Sequence, residues 1–178
     1  MNKWKEFKGS ILFFLIIGSS ILVSCLDTGD IETEEEKLAK VKAQFDFDLE
    51  QIDSYLETNL IVADTDSVSQ IRYIMVEEGT GESPTTSDNV EVTYTGMFLN
   101  GEVFDKIPSA DGKTLTIEFP LGNVIGAWQI MIPKLKEGGT IEFYAPSYYC
   151  YGPYGSGASI PPDAPLIFRV KLIAVNPI

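Results

Sequence analysis

Apolar residues in the first third of the chain recur at alternating steps of three and four positions. Within residues 34–61 they are Leu38, Val41, Phe45, Leu49, Ile52 and Leu56. This spacing is typical of an amphipathic α-helix with one apolar stripe, and it predicts a helix that runs to about Asn59. Thr33 and Glu36 fit a capping box at the start of the helix, where neighbouring acids would interact favourably with the helix dipole.

The apolar stripe of this helix must be covered, and two arrangements would cover it. In the first, the helix packs against the domain that follows it in the chain. In the second, the helices of two copies meet in a short seam and form a homodimer, because the same spacing suits a coiled coil. The sequence favours the first arrangement and leaves the second open.

From about Ser69 the pattern changes to the alternation of apolar and polar residues that is typical of β-strands. The strand-like runs are IRYIMVEEG, NVEVTYTGMFL, GEVFD, KTLTIEF, GGTIEFYAP and APLIFRVKLIAV. Between these runs, only the segment NVIGAWQIMI indicates a helix, and this helix is short and ends near Pro133. We therefore predict an α+β domain over residues 69–178, with an antiparallel sheet and one short helix around a single core.

Residues 90–106, VEVTYTGMFLNGEVFDK, have the pattern of a β-hairpin. Asn100-Gly101 supplies the turn, since both residue types tolerate the positive φ angles of tight hairpin turns. The inward positions include Tyr94 and Phe104, and the acidic Asp105 follows the second of these. The hairpin can therefore be ordinary core or the wall of a pocket, and alternation alone does not distinguish the two.

The N-terminal segment has the layout of a secretory signal. Three lysines within the first eight residues precede an apolar run from Ile11 to Val23, which is shorter than a comfortable membrane span. The run ends in LVSC, which resembles the bacterial lipobox. Residues 1–24 are therefore predicted to be a lipoprotein signal peptide that is cleaved before a lipidated Cys25. An uncleaved anchor and plain secretion are the alternatives.

A lipid on Cys25 would anchor the protein in the bacterial cell envelope, on the extracytoplasmic side (periplasmic or outer-surface). The full sequence has a net charge of −13, and loss of residues 1–24, with three lysines and one glutamate, changes it to −15. Such a surface repels phosphate groups, so we expect no nucleic-acid binding and no electrostatic attachment to anionic headgroups. Acyl chains would hold the protein at the membrane. The polar, acidic residues 25–33 are predicted to form a solvated tether.

The chain has no histidine and only two cysteines, which disfavours many enzyme classes. Without histidine, a zinc site or a Ser-His-Asp triad is disfavoured. If Cys25 is lipidated, Cys150 has no intramolecular partner, and its surroundings in SYYCYG indicate a small buried apolar group. We expect neither a metal nor a cofactor.

Five separated segments resemble FKBP-type peptidyl-prolyl cis-trans isomerases in their order and rough spacing. They are VTYTGMFLNGEVFD, FPLGNVIGAWQ, LKEGG, YGPYGSG and IPPDAPLIFRVKLI, within a stretch from about Ile71 to Val175. Together with the signal segment, the tether and the first helix, they resemble the lipoprotein members of that family. The resemblance implies an antiparallel sheet that is half-wrapped around the short helix, with an apolar pocket for a proline ring between them.

Transferred by position, the resemblance assigns residues to this pocket. Trp128 would form the floor, Tyr151 would offer its hydroxyl to a substrate carbonyl, and the Ile125 main-chain N–H would be available to the bound chain. The candidate catalytic residues are Tyr94, Phe104, Asp105, Trp128, Tyr151 and Phe168. The candidate substrate-binding residues are Val124, Ile125, Ile160 and Ile117. For Asp105, a bond to a neighbouring loop and a direct role both stay open.

The chain departs from the family pattern mainly at the rim of the expected pocket. Ile117 stands where an aromatic residue is common, and SYYCYG carries one extra residue before Tyr151. These differences bear on substrate preference and inhibitor affinity more than on the pocket itself.

The implied function is the acceleration of X–Pro bond isomerisation in exported proteins. Amide resonance imposes a barrier of about 18–20 kcal/mol on this rotation. A dry aromatic pocket would favour the less polar twisted amide over the planar one, without covalent catalysis. The alternative is a non-catalytic peptide-binding or chaperone lipoprotein that uses the same domain.

Overall fold

The computed structural model describes residues 32–107, 109–110 and 113–176 of the chain. The predicted signal segment, the lipidation site Cys25 and nearly all of the predicted tether lie outside these residues. Within the described ranges, no helix is long and apolar enough to cross a membrane. The first helix and the sheet belong to one compact unit.

Helix α1 spans Glu34–Thr58, so it ends one residue before the predicted Asn59. The Glu36 main-chain N–H donates to the Thr33 hydroxyl at 3.2 Å, and the Thr33 N–H donates to the Glu36 carboxylate at 2.9 Å. Two main-chain donors at the helix start are satisfied in this reciprocal way. The predicted capping box is confirmed.

The strands that follow are antiparallel, as predicted, and most are short, although β3 and β9 have 10 and 11 residues. They are β1 (Asp64–Thr65), β2 (Arg72–Glu77), β3 (Asn89–Phe98), β4 (Val103–Lys106), β5 (Ser109–Ala110), β6 (Lys113–Thr114), β7 (Ile117–Pro120), β8 (Thr140–Ala145) and β9 (Leu166–Asn176). Seven of them form one sheet in the order β1-β2-β8-β9-β3-β4, with β7 also paired to β3, while β5 and β6 pair separately. The short helix α2, Gly126–Met131, precedes a 3₁₀ turn that contains Pro133. The predicted α+β class is confirmed.

The two faces of the sheet are covered by different helices. Successive side chains of a strand point to opposite faces, and the central strand β9 shows the result. Phe168 lies in the large core that includes α2, whereas Ile167 lies in a second cluster with Ile52 and Leu56 of α1. The sheet is therefore half-wrapped around α2, as expected, and α1 packs on its other face.

The apolar stripe of α1 is only partly covered. Ile52 is fully buried and Leu56 is 7% exposed, whereas Leu38 and Val41 near the other end are 70% and 45% exposed. Packing against the domain, the first of the two predicted arrangements, is confirmed for the C-terminal half of the helix. Dimerisation through the N-terminal half stays a prediction.

Strands β3 and β4 form the predicted hairpin. At its turn Gly101 has a φ angle of +83°, which side chains disfavour and glycine tolerates. The Phe98 N–H donates to the Glu102 carbonyl at 2.9 Å, and the Glu102 N–H donates to the Asn100 side chain at 2.9 Å. Asn100-Gly101 forms the predicted turn, but only Gly101 of the two has a positive φ angle, and Asn100 contributes through its side-chain oxygen.

Candidate active site

A cavity of about 330 Å³ opens between the sheet and α2. This volume is near the lower end of ligand sites, which span about 300–1,000 Å³. The lining consists of Tyr94, Phe104, Asp105, Ile117, Phe119, Asn123, Val124, Ile125, Trp128, Tyr151 and Phe168. The structure thus brings together nine of the ten predicted pocket residues, the exception being Ile160.

Trp128, from α2, occupies the position expected of the floor and is 5% exposed. Its ring centroid lies 5.0 Å from that of Tyr94, 5.5 Å from that of Phe119 and 5.7 Å from that of Phe168. The Tyr94 and Phe168 rings stand nearly perpendicular to the indole, an arrangement that aromatic pairs favour. Among the described residues the indole N–H has no hydrogen-bond partner, so ring packing holds Trp128 in place.

Phe104 and Asp105 are neighbours in β4, and in a regular strand their side chains would point to opposite faces. The hairpin register shifts at this point. Met97 pairs with Val103, whereas Gly96 pairs with Asp105, which leaves Phe104 without a direct partner. A bulge of this kind bends the strand and redirects its side chains, and both residues line the cavity.

Gly96 makes room for the Phe104 ring. A Cβ atom at position 96 would lie 2.5 Å from the Phe104 Cζ atom, closer than atoms can approach, so a larger residue would displace the ring. The Phe104 ring meets that of Phe168 edge-on, with centroids 5.8 Å apart and an interplanar angle of 87°. These two rings form one aromatic wall.

Tyr94 and Asp105 are joined across the hairpin. The Tyr94 hydroxyl donates a hydrogen bond to the Asp105 carboxylate at 2.5 Å. Burial raises the pKa of Tyr94, and the hydrogen bond and negative charge of Asp105 raise it further, so the phenol stays protonated at neutral pH. The sequence left open a bond from Asp105 to a neighbouring loop, and its partner is instead Tyr94 of the adjacent strand.

The rim next to α2 is held by main-chain groups. A 3₁₀ turn, Leu121–Asn123, connects β7 to Val124, whose carbonyl accepts a hydrogen bond from the Gln129 side chain at 2.7 Å. The Ile125 carbonyl accepts a hydrogen bond from the main-chain N–H of Trp128 at 3.0 Å. The Ile125 N–H donates to no other described residue, which leaves it available to a ligand.

Tyr151 lies shortly after the 3₁₀ turn Ser147–Tyr149. Its hydroxyl has no hydrogen-bond partner within the described part of the chain. Burial raises the pKa of Tyr151, and the neighbouring Cys150 and Asp105 act in the same direction. Tyr151 is therefore a protonated donor in the lining of the cavity.

Ile160 lies in the main core and does not line the cavity. It is 6% exposed. Ser156 and Ile160 exchange two main-chain hydrogen bonds of 2.8 and 3.1 Å, and this bridge closes the loop with the Ile160 side chain in the core cluster. Ile160 thus lies outside the cavity lining, and its contact with substrate stays a prediction.

Two lining residues, Phe119 and Asn123, were not predicted. Phe119 lies two positions after Ile117 in β7, so strand alternation places both side chains on one face. That signal could have found Phe119. Asn123 lies in the turn before Val124, and no periodicity distinguishes it from its neighbours.

Residues 80–173 match the family described as FKBP-type peptidyl-prolyl cis-trans isomerase, which is more than half of the chain. The chain belongs to this family. The FKBP-type match includes every residue that lines the cavity.

Several named relatives of this FKBP-type chain are bacterial proteins. It is 36% identical over 149 residues to the probable FKBP-type peptidyl-prolyl cis-trans isomerase FkpA of Neisseria meningitidis serogroup B, covering 82% of this chain and 53% of that protein. It is 38% identical over 108 residues to the outer membrane protein MIP of Legionella longbeachae, covering 61% of this chain and 45% of that protein. The chain thus spans about half the length of these curated relatives. The crystal structure of FkpA from Escherichia coli matches with a TM-score of 0.64 and 31% identity, covering 80% of this chain and 66% of that one.

Proposed function

We propose that this FKBP-type domain accelerates the cis–trans isomerisation of X–Pro peptide bonds. The observation that carries the proposal is the cavity, in which the rings of Tyr94, Phe104, Trp128 and Phe168 enclose a volume of about 330 Å³. A proline ring is a compact apolar group that fits such a lining. The same cavity holds a hydroxyl donor, Tyr151, beside the apolar surface.

The catalysis follows from the change in the amide as it rotates. The planar X–Pro amide is stabilised by resonance, which imposes a barrier of about 18–20 kcal/mol. Charge separation in the amide falls as the bond twists, so an apolar, water-poor cavity favours the twisted state over the planar one. Each 1.4 kcal/mol or so of such preference gives about a tenfold rate increase.

Two donors would hold the peptide while it twists. The Tyr151 hydroxyl and the Ile125 main-chain N–H have no partner among the described residues, and both residues line the cavity. Hydrogen bonds to substrate carbonyls would fix the chain on either side of the proline and leave the X–Pro bond to rotate. No covalent bond forms, and no proton is transferred.

The direct experiment is the isomerisation of a short Xaa-Pro-Phe peptide by the purified full chain in mild detergent. The uncatalysed reaction takes tens to hundreds of seconds, so acceleration is easily measured. A folded protein that binds the peptide without accelerating isomerisation would favour the non-catalytic alternative and contradict our proposal.

We further propose that the substrates are proline-containing segments of exported proteins, met at a membrane to which lipidated Cys25 anchors the chain. This rests on the lipobox-like LVSC and on a relative whose name places it in the outer membrane. Replacement of Cys25 by Ala should release the protein from the membrane fraction. Continued retention of the variant would contradict the lipid anchor.

We also propose that the N-terminal half of α1 contacts a second copy of the chain. Leu38 and Val41 carry the helical apolar spacing there, yet they are 70% and 45% exposed. Light scattering of the full chain in detergent should give a dimer, and the double variant Leu38→Glu/Val41→Glu should give a monomer. A monomeric wild-type chain would contradict dimerisation.

A further inference from the structure

The short segment Ser147–Tyr151 carries Tyr151 to the cavity. Its own main-chain hydrogen bonds are few: the Tyr149 N–H donates to Pro146 at 3.0 Å, and the Cys150 N–H donates to Ser147 at 2.9 Å. Its position therefore depends on whatever else packs against it.

Helix α1 binds the start of this segment through a buried carboxylate. Asp48 is fully buried, and its Oδ2 atom accepts hydrogen bonds from the Ser147 N–H at 2.7 Å and from the Ser147 hydroxyl at 2.5 Å. Its Oδ1 atom accepts from the Gln44 side-chain amide at 2.7 Å. The Ser147 N–H can only donate, so the Oδ2 position requires an acceptor, whereas the Gln44 amide has an oxygen as well as its NH₂.

The same helix supports the segment by ring packing. The Phe45 ring lies 6.1 Å, centroid to centroid, from both Tyr148 and Tyr149, edge-on in each case. Tyr149 in turn lies against the start of α2: a Cβ atom placed on Gly126 would be in van der Waals contact with the Tyr149 Cδ1 atom, at 3.6 Å. Gly126 directly follows Ile125, so α1 supports the neighbourhood of both proposed substrate donors.

A purely apolar contact would hold the helix on the sheet equally well. A buried carboxylate is costly unless it is fully hydrogen-bonded, and replacing such groups by apolar ones is often neutral or stabilising. What the carboxylate adds is direction, because two bonds to one residue fix both the position and the orientation of Ser147. Tyr151 follows four residues later.

We propose that Asp48 is a positioning residue for the isomerase reaction: through Ser147 it fixes the segment that presents the Tyr151 hydroxyl to the substrate. The proposal rests on the proposed function. It extends the site to helix α1, which lies outside the part of the chain that matches the family, residues 80–173.

The test compares three variants of the full chain in detergent. Asp48→Asn replaces the charged acceptor by a neutral amide oxygen, which weakens both bonds to Ser147, while the Gln44 amide can turn over and present its oxygen to the new NH₂. Asp48→Leu removes both acceptors. The matched control is Asp53→Asn, which loses a different contact of α1, the two 2.9 Å hydrogen bonds from Arg72 of β2.

We expect Asp48→Asn to lower kcat/KM by roughly threefold, Asp48→Leu to lower it further, and Asp53→Asn to leave it unchanged. Because Asp48 acts through the Tyr151 hydroxyl, the loss cannot exceed that caused by Tyr151→Phe. In a Tyr151→Phe background, Asp48→Asn should have no further effect. An equal loss in both backgrounds would overturn the proposal, since it would indicate a general structural effect.

Hydrogen exchange gives a readout that does not depend on activity. The Tyr149 and Cys150 amides should exchange faster in Asp48→Asn and at the wild-type rate in Asp53→Asn. Unchanged exchange in Asp48→Asn would overturn the proposal, whether or not the wild type is an isomerase. If the wild type does not catalyse isomerisation, the proposed function fails, and the exchange rates still decide the structural claim. Should Asp48→Asn fail to fold, Ser147→Ala, which removes only the hydroxyl donor, takes its place in each comparison.

Discussion

Replacement of Tyr94 by Phe removes one hydrogen bond from the cavity and leaves the aromatic ring. The ring contact with Trp128, at 5.0 Å between centroids, is retained. What is lost is the 2.5 Å bond from the hydroxyl to the Asp105 carboxylate. The variant therefore tests whether the orientation of Asp105 matters to the reaction.

The size of the effect follows from the exposure of the carboxylate. A hydrogen bond to a charged group contributes about 1.5–3 kcal/mol when both partners are buried. Asp105 is exposed, so water can replace the lost donor, and we expect a cost of about 1 kcal/mol. If that cost falls on the bound transition state, kcat/KM decreases roughly fivefold.

Asp105→Asn is the matched comparison. Its amide oxygen can still accept the bond from Tyr94, while the negative charge is removed. In the peptide isomerisation assay we expect Tyr94→Phe to lose about fivefold and Asp105→Asn about twofold or less. If Asp105→Asn loses as much as Tyr94→Phe, charge and not orientation matters, and the reasoning is refuted.

Three further substitutions, the first with a matched control, test the packing and electrostatics of the fold. Ile52→Ala, at a fully buried position, should lower the free energy of unfolding in urea by about 2–5 kcal/mol. Leu38→Ala on the same helix should change it by less than about 0.5 kcal/mol at a protein concentration at which the chain is monomeric. Equal costs would contradict the partial covering of α1. A hydrogen bond from Lys134 holds the pKa of Asp66 well below its usual range. The stability this provides is fully present above the ordinary pKa of about 3.9 and decreases as the pH falls towards the lowered pKa of the folded state. Asp66→Asn should therefore be less stable than the wild type near pH 6, and this difference should shrink steadily below about pH 3.9. A constant deficit would contradict this assignment. Trp128→Phe loses no hydrogen bond to the described residues and should lower the free energy of unfolding by about 1–2 kcal/mol. A decrease of more than about 4 kcal/mol would contradict ring packing as the main interaction that holds Trp128.

The regular elements were predictable because each has a local cause. The period of the apolar residues defined α1 and the strands, Asn100-Gly101 defined the hairpin turn, and Thr33 defined the start of the helix. The nearly complete set of cavity residues came from the resemblance to a family and not from periodicity. Periodicity alone could not separate Tyr94 or Phe104 from ordinary core.

The remaining features depend on contacts that local pattern does not contain. Phe104 and Asp105 share the cavity only because of a bulge, which strand alternation does not show. Asp48 lies three positions after Phe45, on the apolar side of the helix. An acidic residue at such a position indicates a buried hydrogen-bond partner. That partner, Ser147, is 99 residues away in the chain. Ile160 was assigned to the pocket because it directly precedes Pro161 in a family motif. It is absent from the cavity lining, and its role in substrate binding stays a prediction.

The central claim is that the aromatic cavity catalyses X–Pro isomerisation, and Phe104→Ala tests it most directly. Val103→Ala is the matched control, since Val103 is adjacent in β4, is 45% exposed and does not line the cavity. The measurement is the rate of Xaa-Pro-Phe isomerisation by each folded protein. We predict acceleration by the wild type and by Val103→Ala, and a loss of at least about tenfold in Phe104→Ala, because one wall of the cavity is removed. Equal rates for Phe104→Ala and the wild type would contradict the account.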